Sequence, residues 1–160
     1  MNQNESISLF FFLRNAIYRN FSETRLIINQ ITDDMLRSKP VASGRSIGEI
    51  LLHIIRSYKY YTRGLALNVW EPLQYDLEKY PTIEKIWELF EYVVTKIQYC
   101  LDNLYLSPAV LNDVHEEFNR PATKAEILLE MLEHSVQHRG QILVYLRLHD
   151  VEPTEIPYII

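Results

Sequence analysis

Thr123-Lys-Ala-Glu126-Ile-Leu-Leu-Glu-Met-Leu-Glu-His134-Ser-Val-Gln-His138-Arg-Gly-Gln141-Ile142 is the stretch on which the fold turns. Thr123 and Glu126 have the spacing of a capping box, in which the hydroxyl accepts a backbone proton and the carboxylate reaches back. The helix they open is expected to run from about Lys124 to His149. Ile127, Met131, Ile142 and Tyr145 recur on one face of it. The segment from Asp150 to Tyr158 carries two prolines and forms a tail.

The same start occurs upstream, as Ser46-Ile-Gly-Glu49-Ile-Leu-Leu-His53. Ser46 and Glu49 form a second capping box. Ile47, Ile50, Leu51, Ile54, Tyr58, Tyr61 and Leu65 follow the helical period to about Leu67. A third helix is expected from Ile83 to Tyr105, with Thr82 as N-cap and Pro81 just outside. Ile83, Ile86, Trp87, Phe90, Val94, Ile97, Leu101 and Leu104 make its inner face, and Glu84, Glu88, Glu91 and Asp102 its outer one. The first helix runs from Ser6 to Ile28, with Phe10, Leu13, Ile17, Phe21, Thr24 and Ile28 as the buried stripe. No strand of any length alternates. The fold class is therefore all-α: a four-helix bundle with long connecting loops, one domain over residues 1–160. Each connector exceeds ten residues, which permits crossovers and leaves the helix order open.

Composition narrows the function classes. The chain has 160 residues, 48% of them hydrophobic, and a formal net charge of -5. That balance argues against a nucleic-acid partner held through phosphates. The single cysteine, Cys100, cannot form an internal disulfide. It lies beside the apolar stripe of the third helix and reads as a small buried hydrophobe. The apolar run Leu9–Leu13 stops at Arg14, too short for a signal core or a membrane span. A soluble, cytoplasmic protein with no membrane partner is expected.

The chemistry lies in the five histidines. His134 and His138 are four apart, about 40° from each other around a helix axis. They point where the pattern demands a core, and an i, i+4 pair can place two nitrogens on one metal ion. Hydrogen-bonded core histidines would produce the same pattern. His53, on the flank of the second helix's apolar stripe, is the natural third ligand. Three imidazoles without a fourth protein ligand would leave a position for water or substrate, the catalytic type of zinc site. His115 reads as a solvated loop histidine, and His149 as a structural residue at a helix C-terminus. Gln141, one turn after His138, is placed to orient a ligand.

Other motifs fail on spacing. His134-Ser-Val-Gln-His138 lacks the glutamate of the zincin motif. Glu49 to His53 and Glu130 to His134 are i, i+4, whereas di-iron bundles need Glu-x-x-His. Gly140 inside a helix implies close approach of a neighbouring helix or chain. Tyr60, Lys59 and Arg63 are expected to be exposed or at a pocket rim, with Tyr58 and Tyr61 on the core stripe.

Ser46-Ile-Gly-Glu-Ile-Leu-Leu-His53 and His134-Ser-Val-Gln-His-Arg-Gly-Gln141 together resemble the second- and fourth-helix motifs of the DinB/YfiT-like metalloenzyme family, unrelated to the polymerase of similar name. The resemblance implies a four-helix bundle whose metal ligands are His53, His134 and His138. It implies a divalent metal, zinc or nickel, and a homodimer. Characterised relatives include thiol-dependent transferases and an isomerase. Thiol S-transferase-like or hydrolase chemistry on a small molecule is the implied function, with a low-molecular-weight thiol as cosubstrate. The alternative is a non-catalytic, dimeric metal-binding module of a stress response. A plain helical interaction domain is the third. No general base is assigned.

Overall fold

The computed structural model describes residues 3–103, 107–116 and 120–156. Four long helices carry it: α1 (Gln3–Ile28), α2 (Ile47–Leu67), α3 (Ile83–Asp102) and α4 (Lys124–Leu148). Both capping boxes form. Ser46 Oγ accepts from Glu49 N and the Glu49 carboxylate accepts from Ser46 N, and Thr123 and Glu126 repeat the arrangement. Thr82 caps α3 by accepting from Lys85 N. A left-handed Asn68 (φ 53°) ends α2, a conformation asparagine tolerates. The first helix begins three residues before the apolar stripe requires, at Gln3. Leu104, Tyr105, Glu117 and Tyr158 lie outside the described residues.

The stripes read from the sequence are the core. Phe10, Leu13, Ile17, Phe21, Ile50, Leu51, Ile54, Tyr58, Ile86, Phe90, Val94, Ile97, Ile127, Met131 and Ile142 are all buried. Leu89 and Val93 widen the inner face of α3 beyond the expected stripe. Ile83, Trp87, Tyr61 and Tyr145 sit half-buried at its margin.

Side-chain pairings settle the helix order that the long connectors left open. Each of α1 and α2 packs on both α3 and α4, so α1 and α2 face each other diagonally. Arg14 bonds Asp102 and Arg25 bonds Glu91, which sets α1 and α3 antiparallel. Glu91 is therefore not on a free outer face: it is half-buried, and both of its oxygens accept from Arg25, at 2.6 and 2.9 Å. Asp102 also accepts from Tyr18, at 3.0 Å. Asn20 meets Ser135 while Glu23 meets Arg139, so α1 and α4 run parallel. His53 meets His134 while Thr62 meets Met131, so α2 and α4 are antiparallel. It follows that α2 and α3 are parallel, and the 68–82 connector is a crossover along the length of the bundle.

That crossover is pinned at both ends. Gly64 lies so close to the Trp70 indole that a Cβ there would come within 2.3 Å of the ring. Gly48 makes similar room for Leu77. Gly140, by contrast, has nothing within 4 Å of where its Cβ would be. Among the described residues no helix approaches it, contrary to that part of the expectation. The described residues contain one short antiparallel pair, β1 (Val114–His115) with β2 (Ala122–Thr123), leading into α4.

A polar network crosses the core where α1, α2 and α4 meet. Tyr58 donates to Asn20 Oδ1 at 2.5 Å and also bonds Ser135, which itself donates to Asn20 Oδ1 at 2.9 Å. Arg139 pairs with Glu23 at 2.5 Å and donates to the Asn20 carbonyl at 3.3 Å. A buried donor or acceptor left without its partner costs about 1–3 kcal/mol. Tyr58→Phe is expected to lower stability in that range, with the urea midpoint shifted and the slope of the transition unchanged. A midpoint identical to wild type would show that the hydroxyl has no part in holding the helices.

Candidate metal centre

His53 lies two turns into α2, and His134 and His138 lie midway along α4. The centre of the buried face of α4 is not at the histidines. It runs through Leu128, Met131, Ser135, Arg139, Ile142 and Leu146. Each histidine therefore sits one residue before a buried polar anchor, on the flank of the face, and is half-buried. This corrects the reading that placed the pair at the core centre. The consequence is access: a flank histidine of α4 faces a flank histidine of α2 across a seam open to solvent.

The three rings form one cluster. Ring centroids are 4.7 Å apart for His53–His134, 4.7 Å for His53–His138 and 4.4 Å for His134–His138, all edge-on. Each offers one nitrogen, and those nitrogens all lie within 4.8 Å of one another. That spacing could be bridged by one metal ion. Among the described residues no carboxylate or thiol joins the cluster.

Hydrogen bonds assign the tautomers. Arg56 is a donor only and reaches His53 Nδ1 at 2.8 Å. His53 Nδ1 must accept, so its proton is on Nε2, which donates to His134 Nε2 at 3.0 Å. His134 then carries its proton on Nδ1, which is buried without a hydrogen-bond partner. His138 Nδ1 donates to Gln141 Oε1 at 2.9 Å, leaving Nε2 as a lone pair.

The environment keeps two of the rings neutral. Burial, then the charge of Arg45, with the other histidines and Arg56 adding to it, pushes His53 down to about 3. Burial, His138 and Arg45 push His134 down to about 4, against a small opposing pull from Glu130. Neutral imidazoles are the form that ligates metals. The donor set, three nitrogens without an anionic ligand, fits zinc, nickel or copper better than a hard cation such as magnesium.

The remaining sequence-level readings divide. His149 caps α4 and its Nε2 meets Ser38 Oγ at 2.7 Å, a structural role. His115 is not a solvated loop histidine. It is half-buried on β1, with its ring edge-on to Trp70 at 5.6 Å. Trp70 in turn packs on Tyr60, with centroids 5.4 Å apart. Cys100 is half-buried rather than buried, and burial raises its thiol above the usual range. Tyr60, Lys59 and Arg63 are half-buried. Arg45 and Arg56 were missed in the sequence. The available signal was spacing, since Arg56 follows His53 by three and shares its side of the helix.

Comparison with known proteins agrees with this architecture. The DinB family model matches residues 2–159. The uncharacterized protein YjoA of Bacillus subtilis is 24% identical over 149 residues, covering 90% of this chain and 94% of YjoA. The crystal structure of a DinB-like protein from Bacillus cereus superposes with a TM-score of 0.76 at 18% identity, over 92% of this chain and 95% of that one. The crystal structure of YjoA gives a TM-score of 0.62 at 22% identity, over 96% of both chains. With the match spanning nearly the whole sequence, the chain belongs to the DinB family.

Proposed function

We propose that His53, His134 and His138 hold one divalent cation, zinc or nickel, and that the chain is a metal-dependent enzyme acting on a small molecule. The carrying observation is the set of three imidazole nitrogens within 4.8 Å with no further protein ligand among the described residues. A cation held by these three residues would supply Lewis-acid chemistry, favouring the thiolate of a small thiol or activating a water. The family resemblance favours the thiol: S-transferase-like chemistry first, hydrolysis second. It also supports a homodimer, and the short apolar run Leu9–Leu13 supports a place in the cytoplasm.

The chain's own residues do the rest. Gln141 fixes the ring of His138 by accepting from Nδ1, which leaves Nε2 for the cation. Burial keeps His53 and His134 neutral, so neither carries the second proton of an imidazolium. Arg45 and Arg56 set a positive potential around the cluster, which suits an anionic reactant. Arg56 also opposes loading. Ligation through His53 Nε2 needs the proton on Nδ1, where Arg56 now donates. Arg56 must leave that bond when a cation enters.

Two expectations follow from this arrangement. Arg56→Met removes a competing charged donor, so zinc affinity, read by competition with a chromophoric chelator, rises by about tenfold. Weaker binding in the variant would mean that Arg56 supports the ligand set. Screening metal-loaded protein with several small thiols and a generic electrophile should reveal thiol-dependent turnover that is lost on chelation. A metal-loaded protein inert across the whole panel would contradict the transferase reading and favour a non-catalytic metal-binding module.

A further inference from the structure

A cavity of about 340 Å³ opens between α2 and α3. Its α2 residues, Lys59, Thr62, Arg63, Ala66 and Leu67, lie roughly 40–180° around that helix from His53 and about 9–21 Å further along it. It is therefore a different place from the histidine cluster. Its size is that of a small-molecule site.

The lining is apolar below and cationic above. Thr62, Val93 and Ile97 are buried at its floor. Lys59 and Lys96 both hold their ammonium groups over the Tyr92 ring, at 5.3 and 5.7 Å, and neither forms an ion pair with a described residue. No acidic side chain lines the cavity. Arg63 is already engaged: its Nη2 donates to the Glu71 carbonyl at 2.7 Å and stands 3.9 Å from the exposed Glu71 carboxylate, and its Nε is shut off from solvent. The charge left to attract a ligand at the cavity is chiefly that of Lys59 and Lys96, which an anionic head group would match.

We infer that this cavity binds a small amphipathic anion, an apolar body with one carboxylate-like head set between Lys59 and Lys96. A second copy of the chain fits less well. A two-fold contact centred here would press these cations against their own copies, with no acid in the cavity to offset them.

The test uses the full chain with decanoate and, as a neutral control, decanol. One decanoate should bind per chain, at least about tenfold more tightly than decanol, because a charge-assisted hydrogen bond separates the two. Binding should protect Cys100, which lines the same cavity, from iodoacetamide. Replacing Lys59 and Lys96 together by glutamine should weaken decanoate by about fivefold or more and leave decanol unchanged. Ala66→Trp should fill the cavity and abolish both. If that variant fails to fold, the lysine pair decides alone. Equal binding of decanoate and decanol overturns the inference, as does decanoate binding that survives loss of both lysines. Loss of decanoate in His134→Gln but not in the lysine variant would place the ligand at the histidine cluster, and also overturns it. So does a dimer that shields Cys100 without ligand.

Discussion

The ion pair between Arg139 and Glu23 is the contact on which the rest of the structure leans. The two side chains are only 8% and 13% exposed, so both charges are largely withdrawn from water. Such a pair contributes little net stability, but loss of one partner strands the other and costs about 3–5 kcal/mol. Its value is in fixing register. With Asn20, Tyr58 and Ser135 it ties α1, α2 and α4 at one height, where apolar side chains alone would tolerate sliding. Ser135 and Arg139 each follow a histidine of the cluster by one residue. Turning these two inward turns His134 and His138 toward α2, where His53 meets them.

This coupling explains what could and could not be read in the chain. The helices were legible because each carries a strong local signal: Ser46/Glu49 and Thr123/Glu126 at their starts, and stripes of Ile, Leu and Phe at helical spacing. The order of the helices was not, because it depends on long-range pairs such as Arg25–Glu91 and Arg14–Asp102. Charged residues on a helix look alike in sequence whether they face water or a partner. That is why Glu91 reads as solvated and proves to be half-buried. His115 misleads for the same reason: the Trp70 that covers it is far away in the chain.

The histidine cluster was legible in its members and not in its setting. The i, i+4 spacing and the position of His53 pointed to the three residues, and the family motif pointed to the same ones. The fault was in the helical face. Four apolar residues place the face of α4 at the histidines, whereas the buried Ser135 and Arg139 move its centre past them. A buried arginine carries no hydrophobic signal, so periodicity cannot find it. Nor could spacing give the tautomers, which rest on Arg56 at one end of the cluster and Gln141 at the other.

Two sites of different character then share α2. One face of the helix carries a nitrogen-rich seam suited to a cation, and the other borders an apolar cavity ringed by positive charge. The central claim concerns the seam. The most direct measurement is metal content by mass spectrometry after purification without chelator, for wild type beside His134→Gln and His138→Gln, with folding followed by circular dichroism. About one equivalent of divalent metal in the wild type, and none in variants that keep their helices, is the predicted result. A wild-type protein that is folded and metal-free, and stays so when offered zinc or nickel, would contradict the account.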